Sequence, residues 1–218
     1  MFADRAEAGR LLAERLAAMG LTDPLVLALP RGGVPVGAEI ALRLHAPLDV
    51  TLVRKLGAPD EPELAIGAVA EGDPPEIVLN SEQVEDLDLS EDFIASAVAR
   101  ELITIEQRRR DYVGVRPAVQ AARRAVIVVD DGVATGMTMQ AALRSIRRRG
   151  AERLIAAAPV ASREAMTMLR AESDDVVCLR APRHFGSVGS FYRNFAQVCD
   201  ADVARLLLEA GARTWPTQ

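Results

Sequence analysis

The stretch Val126–Thr138, VIVVDDGVATGMT, decides how the rest of the chain is read. Val126, Ile127, Val128 and Val129 form the continuous apolar, β-branched run of a strand buried on both faces. Asp130 and Asp131 stand where that strand must end, followed by a small-residue loop containing Ala134, Thr135 and Gly136. A helical pattern starts at once, from about Gly136 to Arg149. Free N–H groups and the positive dipole end of a helix favour an anion there, and Ala134 and Gly136 let a phosphate approach the backbone. The hydroxyls of Thr135 and Thr138 can donate to phosphate oxygens. The two carboxylates only accept, so they suit ligand hydroxyls or a hydrated cation. A phosphorylated sugar satisfies both halves of the stretch, and a bare phosphate does not.

Outward from it, apolar strand patterns alternate with helical ones. Asp4 with Glu7 makes a capping-box start for a first helix, and Gly20 is placed to end it. Leu25–Leu29 reads as a strand, Val34–Leu44 as a helix and Asp49–Arg54 as the next strand, which is a βαβ unit. After the central stretch come strands over Leu154–Val160 and Asp175–Leu179, a helix over Ser162–Ala171, and a last helix opened by Asp200 or Asp202. The expected fold is α/β, a parallel sheet of about five strands wrapped by helices, with ligands off the carboxyl ends of its strands. Residues from 57 to about 115 interrupt this order with a Pro-, Gly- and acid-rich loop, two short β-like runs (Ala65–Ala70, Glu76–Leu79) and a long helix capped by Ser90.

Composition bounds the function. At 218 residues the chain suits one α/β domain with an elaboration, or two small domains. The formal net charge of −5 gives no global basic field for nucleic acid. The runs Arg108–Arg110 and Arg147–Arg149 fall at helix ends, where cations complement the dipole and are usually solvated. Cys178 and Cys199 lack metal-ligand spacing, which suits a reduced setting. Charges among the first twenty residues argue against a signal peptide, and no run approaches a membrane span. A cytoplasmic protein with no membrane contact is expected.

Two further groups fall at strand ends. Pro30-Arg31-Gly32-Gly33 is either a tight turn or a cation with two flexible N–H groups, suited to pyrophosphate. Arg54-Lys55 is either a solvated pair or a second set of cations at the same sheet edge.

With these motifs in view, VIVVDDGVATGMT resembles the signature of the type I phosphoribosyltransferases that binds 5-phosphoribosyl pyrophosphate (PRPP). The run RKLGAPDEPELAIGAVAEG resembles an uncharacterised bacterial branch of that family, and the likeness covers most of the chain. The resemblance implies a Rossmann-like core over residues 1–218, with 57–115 as a lid and hood insertion and 181–218 as a C-terminal hood segment. It implies that Asp130 and Asp131 hold the ribose hydroxyls, that Ala134, Thr135, Gly136, Met137 and Thr138 hold the 5-phosphate, and that Arg31, Gly32, Gly33, Arg54 and Lys55 hold pyrophosphate. Arg31, Lys55, Asp130 and Asp131 are the implied catalytic residues. The implied reaction moves the phosphoribosyl group to a nucleobase-like nitrogen as in nucleotide salvage, with Mg²⁺ held mainly by PRPP and water, in a homodimer. Glu61 and Glu63 are lid candidates. The tail APRHFGSVGSFYRNF resembles, more loosely, a base-binding segment, with Phe185 as the stacking candidate and Arg183 and Tyr192 beside it. Phe191 and Phe195 are read as core under the last helix, and His45 as structural. One departure is Ala134, where some purine-salvage members carry an aspartate. The alternative from another class is a PRPP-binding regulatory protein with little turnover.

Overall fold

The computed structural model describes residues 1–62, 64–114 and 118–214. The core is a five-stranded parallel sheet built from β1 (Pro24–Ala28), β2 (Leu48–Val50), β6 (Ala125–Val129), β7 (Arg153–Val160) and β8 (Asp175–Arg180), in the order β2-β1-β6-β7-β8. Every residue of β6 is buried, as its apolar run requires, and the strand sits third in the sheet. Alternate residues divide between the two faces. Val26, Ala28, Ile127 and Val129 face a layer containing α1 (Arg5–Ala17), α2 (Gly33–Leu44) and α7 (Asp200–Thr214). Leu25, Leu27, Val126 and Val128 face α5 (Met137–Arg148) and α6 (Arg163–Glu172). Each fully buried Val, Leu or Ile contributes about 1.5–3 kcal/mol of transfer free energy.

The strand expected over Asp49–Arg54 is two strands in two sheets. β2 ends at Val50, and β3 (Val53–Gly57) starts an antiparallel sheet with β4 (Ala65–Ala70) and β5 (Glu76–Leu79). Thr51 and Leu52 between them are buried, so no exposed turn marks the crossover. A short helix α3 (Ser81–Asp86) and the long α4 (Glu91–Val113) follow. α4 packs Ala97, Val98 and Ile105 into the same cluster as Leu56, Ile66 and Val69.

A buried ion network fastens this unit to the core. Arg109 of α4 donates to Asp49 Oδ2 at 2.8 Å and to the Val50 carbonyl at 3.0 Å, and lies 3.7 Å from Glu71. The expectation of a solvated arginine run fails at this residue, because the groove between the two sheets holds two carboxylates that need a cation. Arg147 pairs with Asp174, Arg148 with Glu76, and Arg149 donates to the Val119 carbonyl, so that run is also bound to its own protein. Among the described residues no helix is long and apolar enough to cross a membrane.

Candidate active site

The strand order reverses between β1 and β6, and in open parallel sheets ligands sit off the carboxyl ends of the strands at such a point. Pro30–Gly33 follows β1 and Asp130–Asp131 follows β6, so two of the groups singled out in the sequence flank this point. The helices that start there differ from the others. Side chains cap α1 (Asp4), α3 (Asn80), α4 (Ser90) and α6 (Ser162), whereas α2 and α5 begin at Gly32 and Gly136 with no side-chain cap. At α5 the first-turn N–H groups therefore have no acceptor from a capping side chain and are available to an anion, whereas at α2 Gly33 and Val34 donate to the Leu29 and Arg31 carbonyls and Pro35 has no N–H.

The loop before α5 is fastened from behind and open in front. Val133 pairs with Ala161, and Ser162 Oγ donates to the Ala134 carbonyl at 2.6 Å. Ala134 and Thr135 are exposed, and Met137 and Thr138 are half-buried. Gly136 has φ +90°, a conformation that strains any other residue, and a Cβ there would lie 2.3 Å from Met168 Cε.

The two carboxylates are held differently. Asp131 N–H donates to Asp130 Oδ1 at 2.8 Å. Asp131 Oδ2 accepts from Arg5 Nε at 2.7 Å, a contact spanning 126 residues of sequence. Tyr192 donates its hydroxyl to the Asp131 carbonyl at 2.5 Å. Burial first, and then the Asp131 charge, push the Asp130 carboxyl well above the usual aspartate range. Burial also pushes Asp131 up, while the Arg5 guanidinium pulls it back. Two acids perturbed in this way, side by side, mark a site prepared for hydroxyl donors or positive charge.

Gly32 lies directly against this pair, since a Cβ on it would stand 2.0 Å from Asp131 Oδ2. A Cβ on Gly33 would stand 2.6 Å from the Val129 carbonyl oxygen. The loop after β1 and the loop after β6 thus form one surface. One expectation changes here, because the Gly33 N–H donates to the Leu29 carbonyl at 3.0 Å. Of the two glycines, Gly32 alone keeps its N–H for a ligand; close packing is what Gly33 serves. The peptide bond between Pro30 and Arg31 is cis.

The cations surround this surface and are partly engaged. Arg31 lies 3.9 Å from Asp200, which also accepts from the Tyr112 hydroxyl at 2.6 Å. The Tyr112 hydroxyl is pushed up to about 12, first by burial and then by that bond. Arg54 Nε pairs with Glu101 at 2.7 Å, and Lys55 is exposed. Arg54, Lys55, Arg100 and Glu101 line a cleft of about 590 Å³ that reaches Thr138 at the start of α5. The cleft joins the basic pair to the uncapped start of α5.

The tail divides. Arg183 and His184 are exposed, and Phe185 is half-buried with its ring 5.4 Å from Phe191. Tyr192 is only 5% exposed and turned inward, so it supports the central loop and is not available to stack on a ligand. Phe195 is not core under the last helix: it is exposed, 5.1 Å from Tyr192, and Arg5 lies 3.8 Å over its ring. Val188 packs against Gly132, closing the tail onto the central stretch. His45 caps α2 in the left-handed conformation, a structural role. Glu61 is exposed, and Glu63 lies outside the described residues. Sequence reasoning missed Arg5, Glu101 and Asp200. The only signals were the place of Arg5 beside the Asp4 cap and of Asp200 at a helix start, and for Glu101 there was none.

Comparison with known proteins bears on this site. A family model described as phosphoribosyl transferase domain matches residues 3–195. A protein of Mycobacterium tuberculosis (strain H37Rv), named "Putative phosphoribosyl transferase Rv0571c", is 41% identical over 207 residues, covering 95% of this chain and 46% of its own. The chain therefore spans about half the length of the curated relatives it matches. The crystal structure of TT1426 from Thermus thermophilus superposes with a TM-score of 0.82 at 46% identity, covering 96% of this chain and 98% of that one.

Proposed function

This chain belongs to the phosphoribosyl transferase domain family, and from that premise we propose that it transfers the 5-phosphoribosyl group of PRPP to a nucleobase-like nitrogen, releasing pyrophosphate. One observation carries the reading: an uncapped helix start and an adjacent pair of carboxylates, Asp131 buried and Asp130 half-buried, lie side by side at the strand-order reversal of a parallel sheet. The first part suits a phosphate monoester, and the second suits the hydroxyls of the sugar that bears it.

In this reading the 5-phosphate accepts from the N–H groups at 135–138 and the hydroxyls of Thr135 and Thr138. The ribose hydroxyls donate to Asp130 and Asp131, whose charge then favours the positive charge that develops on the sugar as the C–O bond to pyrophosphate breaks. Arg31, Arg54, Lys55 and the Gly32 N–H take up the negative charge of the leaving group. Arg54 must share its Glu101 partner to do so, while Lys55 needs no such exchange. Lys55 is also the only lysine among 26 basic residues, in a chain that elsewhere uses arginine. An ammonium is a compact point charge on a flexible stem, suited to following a departing anion.

Mg²⁺ fits as a passenger of the substrate. The acidic pair would offer hydrogen-bond acceptors to waters of a hydrated ion carried by PRPP. Held in that way, such an ion would offset the charge of pyrophosphate. The segments 57–115 and 181–218 serve as the hood that excludes water from the sugar cation, and the acceptor binds between the tail and the central loop. A homodimer and a cytoplasmic setting come with the family resemblance. The test is a screen of nucleobases and other nitrogen nucleophiles with Mg²⁺ and PRPP, scoring pyrophosphate. Release with one class identifies the acceptor. Binding of PRPP without release in any case would overturn turnover and leave a PRPP-binding regulator.

A further inference from the structure

Arg5 stands where three separate parts of the chain meet. Its Nε donates to Asp131 Oδ2 at 2.7 Å, and its NH1 donates to the Ala196 carbonyl at 2.8 Å. Its guanidinium lies 3.8 Å from the centre of the Phe195 ring. Phe195 stacks on Tyr192 at 5.1 Å, and the Tyr192 hydroxyl returns to the Asp131 carbonyl at 2.5 Å. Asp131, Arg5, Phe195 and Tyr192 thus form a closed ring of contacts. Main-chain bonds hold the same strip to the amino end, with Arg193 N–H on the Phe2 carbonyl (2.8 Å) and Asn194 N–H on the Ala3 carbonyl (2.9 Å).

We propose that Arg5 is a positioning residue of the sugar site, locking the Asp131 carboxylate against Gly32 and fastening it to the strip Tyr192–Ala196, so that sugar binding orders the acceptor side. The inference rests on the phosphoribosyl reading above and extends it to a residue outside the PRPP-contacting set. Arg5 and Asp131 have side chains only 12% and 13% exposed, so the pair is shielded from solvent. A planar fork can serve a carboxylate, a carbonyl and a ring face at once, which a lysine ammonium cannot.

The groups facing Asp131 are few. Asp130 comes from its own loop, Arg5 from α1 and Tyr192 from the strip; the loop before α2 presents the Gly32 backbone, its Arg31 side chain being turned to Asp200. Arg5 is the one fixed positive charge in hydrogen-bond contact with Asp131 among the described residues. Without it, burial would favour protonation of Asp131, and a protonated acid accepts hydroxyls less well.

The test compares wild type, Arg5→Met and Arg5→Lys, measuring Mg²⁺–PRPP affinity by calorimetry from about pH 6 to about pH 9, with hydrogen exchange of residues 192–197. Arg5→Met is expected to bind about tenfold more weakly near pH 6 and within about twofold of wild type near pH 9. Arg5→Lys should recover most of the pH 6 loss. PRPP should slow exchange in 192–197 in wild type and not in either variant. A loss by Arg5→Met that is equal at all pH values, or unchanged protection of the strip, overturns the proposal while leaving the PRPP reading intact. If Arg5→Met fails to fold, Arg5→Lys carries the decision, because strip protection equal to wild type refutes the proposal. Failure of wild type to bind PRPP overturns the phosphoribosyl reading itself, and this inference with it.

Discussion

Replacing Gly32 by alanine sets two effects against each other. Its backbone, at φ −62° and ψ −33°, lies in the right-handed helical region open to any residue. On backbone grounds alone Gly32→Ala should stabilise the protein by about 0.4–1 kcal/mol, through lower entropy of the unfolded chain. The contact opposes this. The new Cβ would lie 2.0 Å from Asp131 Oδ2 and 2.5 Å from its Cγ, so the carboxylate must shift to reach ordinary contact. It is held from the other side by Arg5 Nε at 2.7 Å, and its own carbonyl by Tyr192 at 2.5 Å. Overpacking costs about 1–3 kcal/mol, and disturbing a shielded ion pair adds to it. We therefore expect a net loss of about 2 kcal/mol, or roughly 6 °C in melting temperature for a domain of this size. Urea unfolding at neutral pH measures it, with Asp131→Ala as the partner in a double-mutant cycle. The two losses should be non-additive by at least about 1 kcal/mol, since removing the carboxylate removes the clash. A Gly32→Ala protein as stable as wild type, or more so, would refute the close approach of the two loops.

Other expectations follow from the same geometry. Because burial and Asp131 raise the Asp130 carboxyl, the native state keeps a proton that the unfolded chain releases above the ordinary aspartate range; stability should therefore fall as pH rises from about 4 towards the raised value. Asp130→Asn should lose that fall and exceed wild type by about 1 kcal/mol near pH 8; parallel pH–stability curves in urea would contradict it. Arg31→Ala should weaken pyrophosphate binding far more than ribose 5-phosphate binding in calorimetry, and an equal loss would make the loop structural. Arg109→Met removes the guanidinium that bonds both the buried Asp49 carboxylate and the Val50 carbonyl and should cost about 3 kcal/mol in urea unfolding, whereas a loss below about 1 kcal/mol would show the pair to be dispensable.

What the sequence makes legible is local. VIVVDD announces a buried strand with two acids at its end because both facts lie within six residues, and each has a direct physical reason. Asp4 and Ser90 are equally readable as caps, and Ser162 as a helix start, since a cap bonds within three residues of itself. The crossover at Thr51–Leu52 is not, because the chain stays buried while changing sheets. Helix α3 escapes too: it buries no residue and so carries no apolar period. The ion pairs that shape the site, Arg5 with Asp131 and Arg54 with Glu101, join residues 126 and 47 positions apart. An arginine bound that way looks, in one dimension, like any solvated arginine. Tyr192 is a similar case, since its aromatic ring gives no hint of which way the hydroxyl turns. Gly33 belongs to the loop as its sequence implies, but it is not a donor to a ligand, because its N–H is taken by a carbonyl four residues back.

Every proposed role depends on a single PRPP site where the loops after β1 and β6 meet. Its most direct test is calorimetric titration of wild type and the Asp130→Asn/Asp131→Asn double variant with PRPP in the presence of Mg²⁺. Saturable binding by wild type, lost in a double variant that still melts cooperatively, is the predicted result. Equal affinity in the two proteins would contradict it.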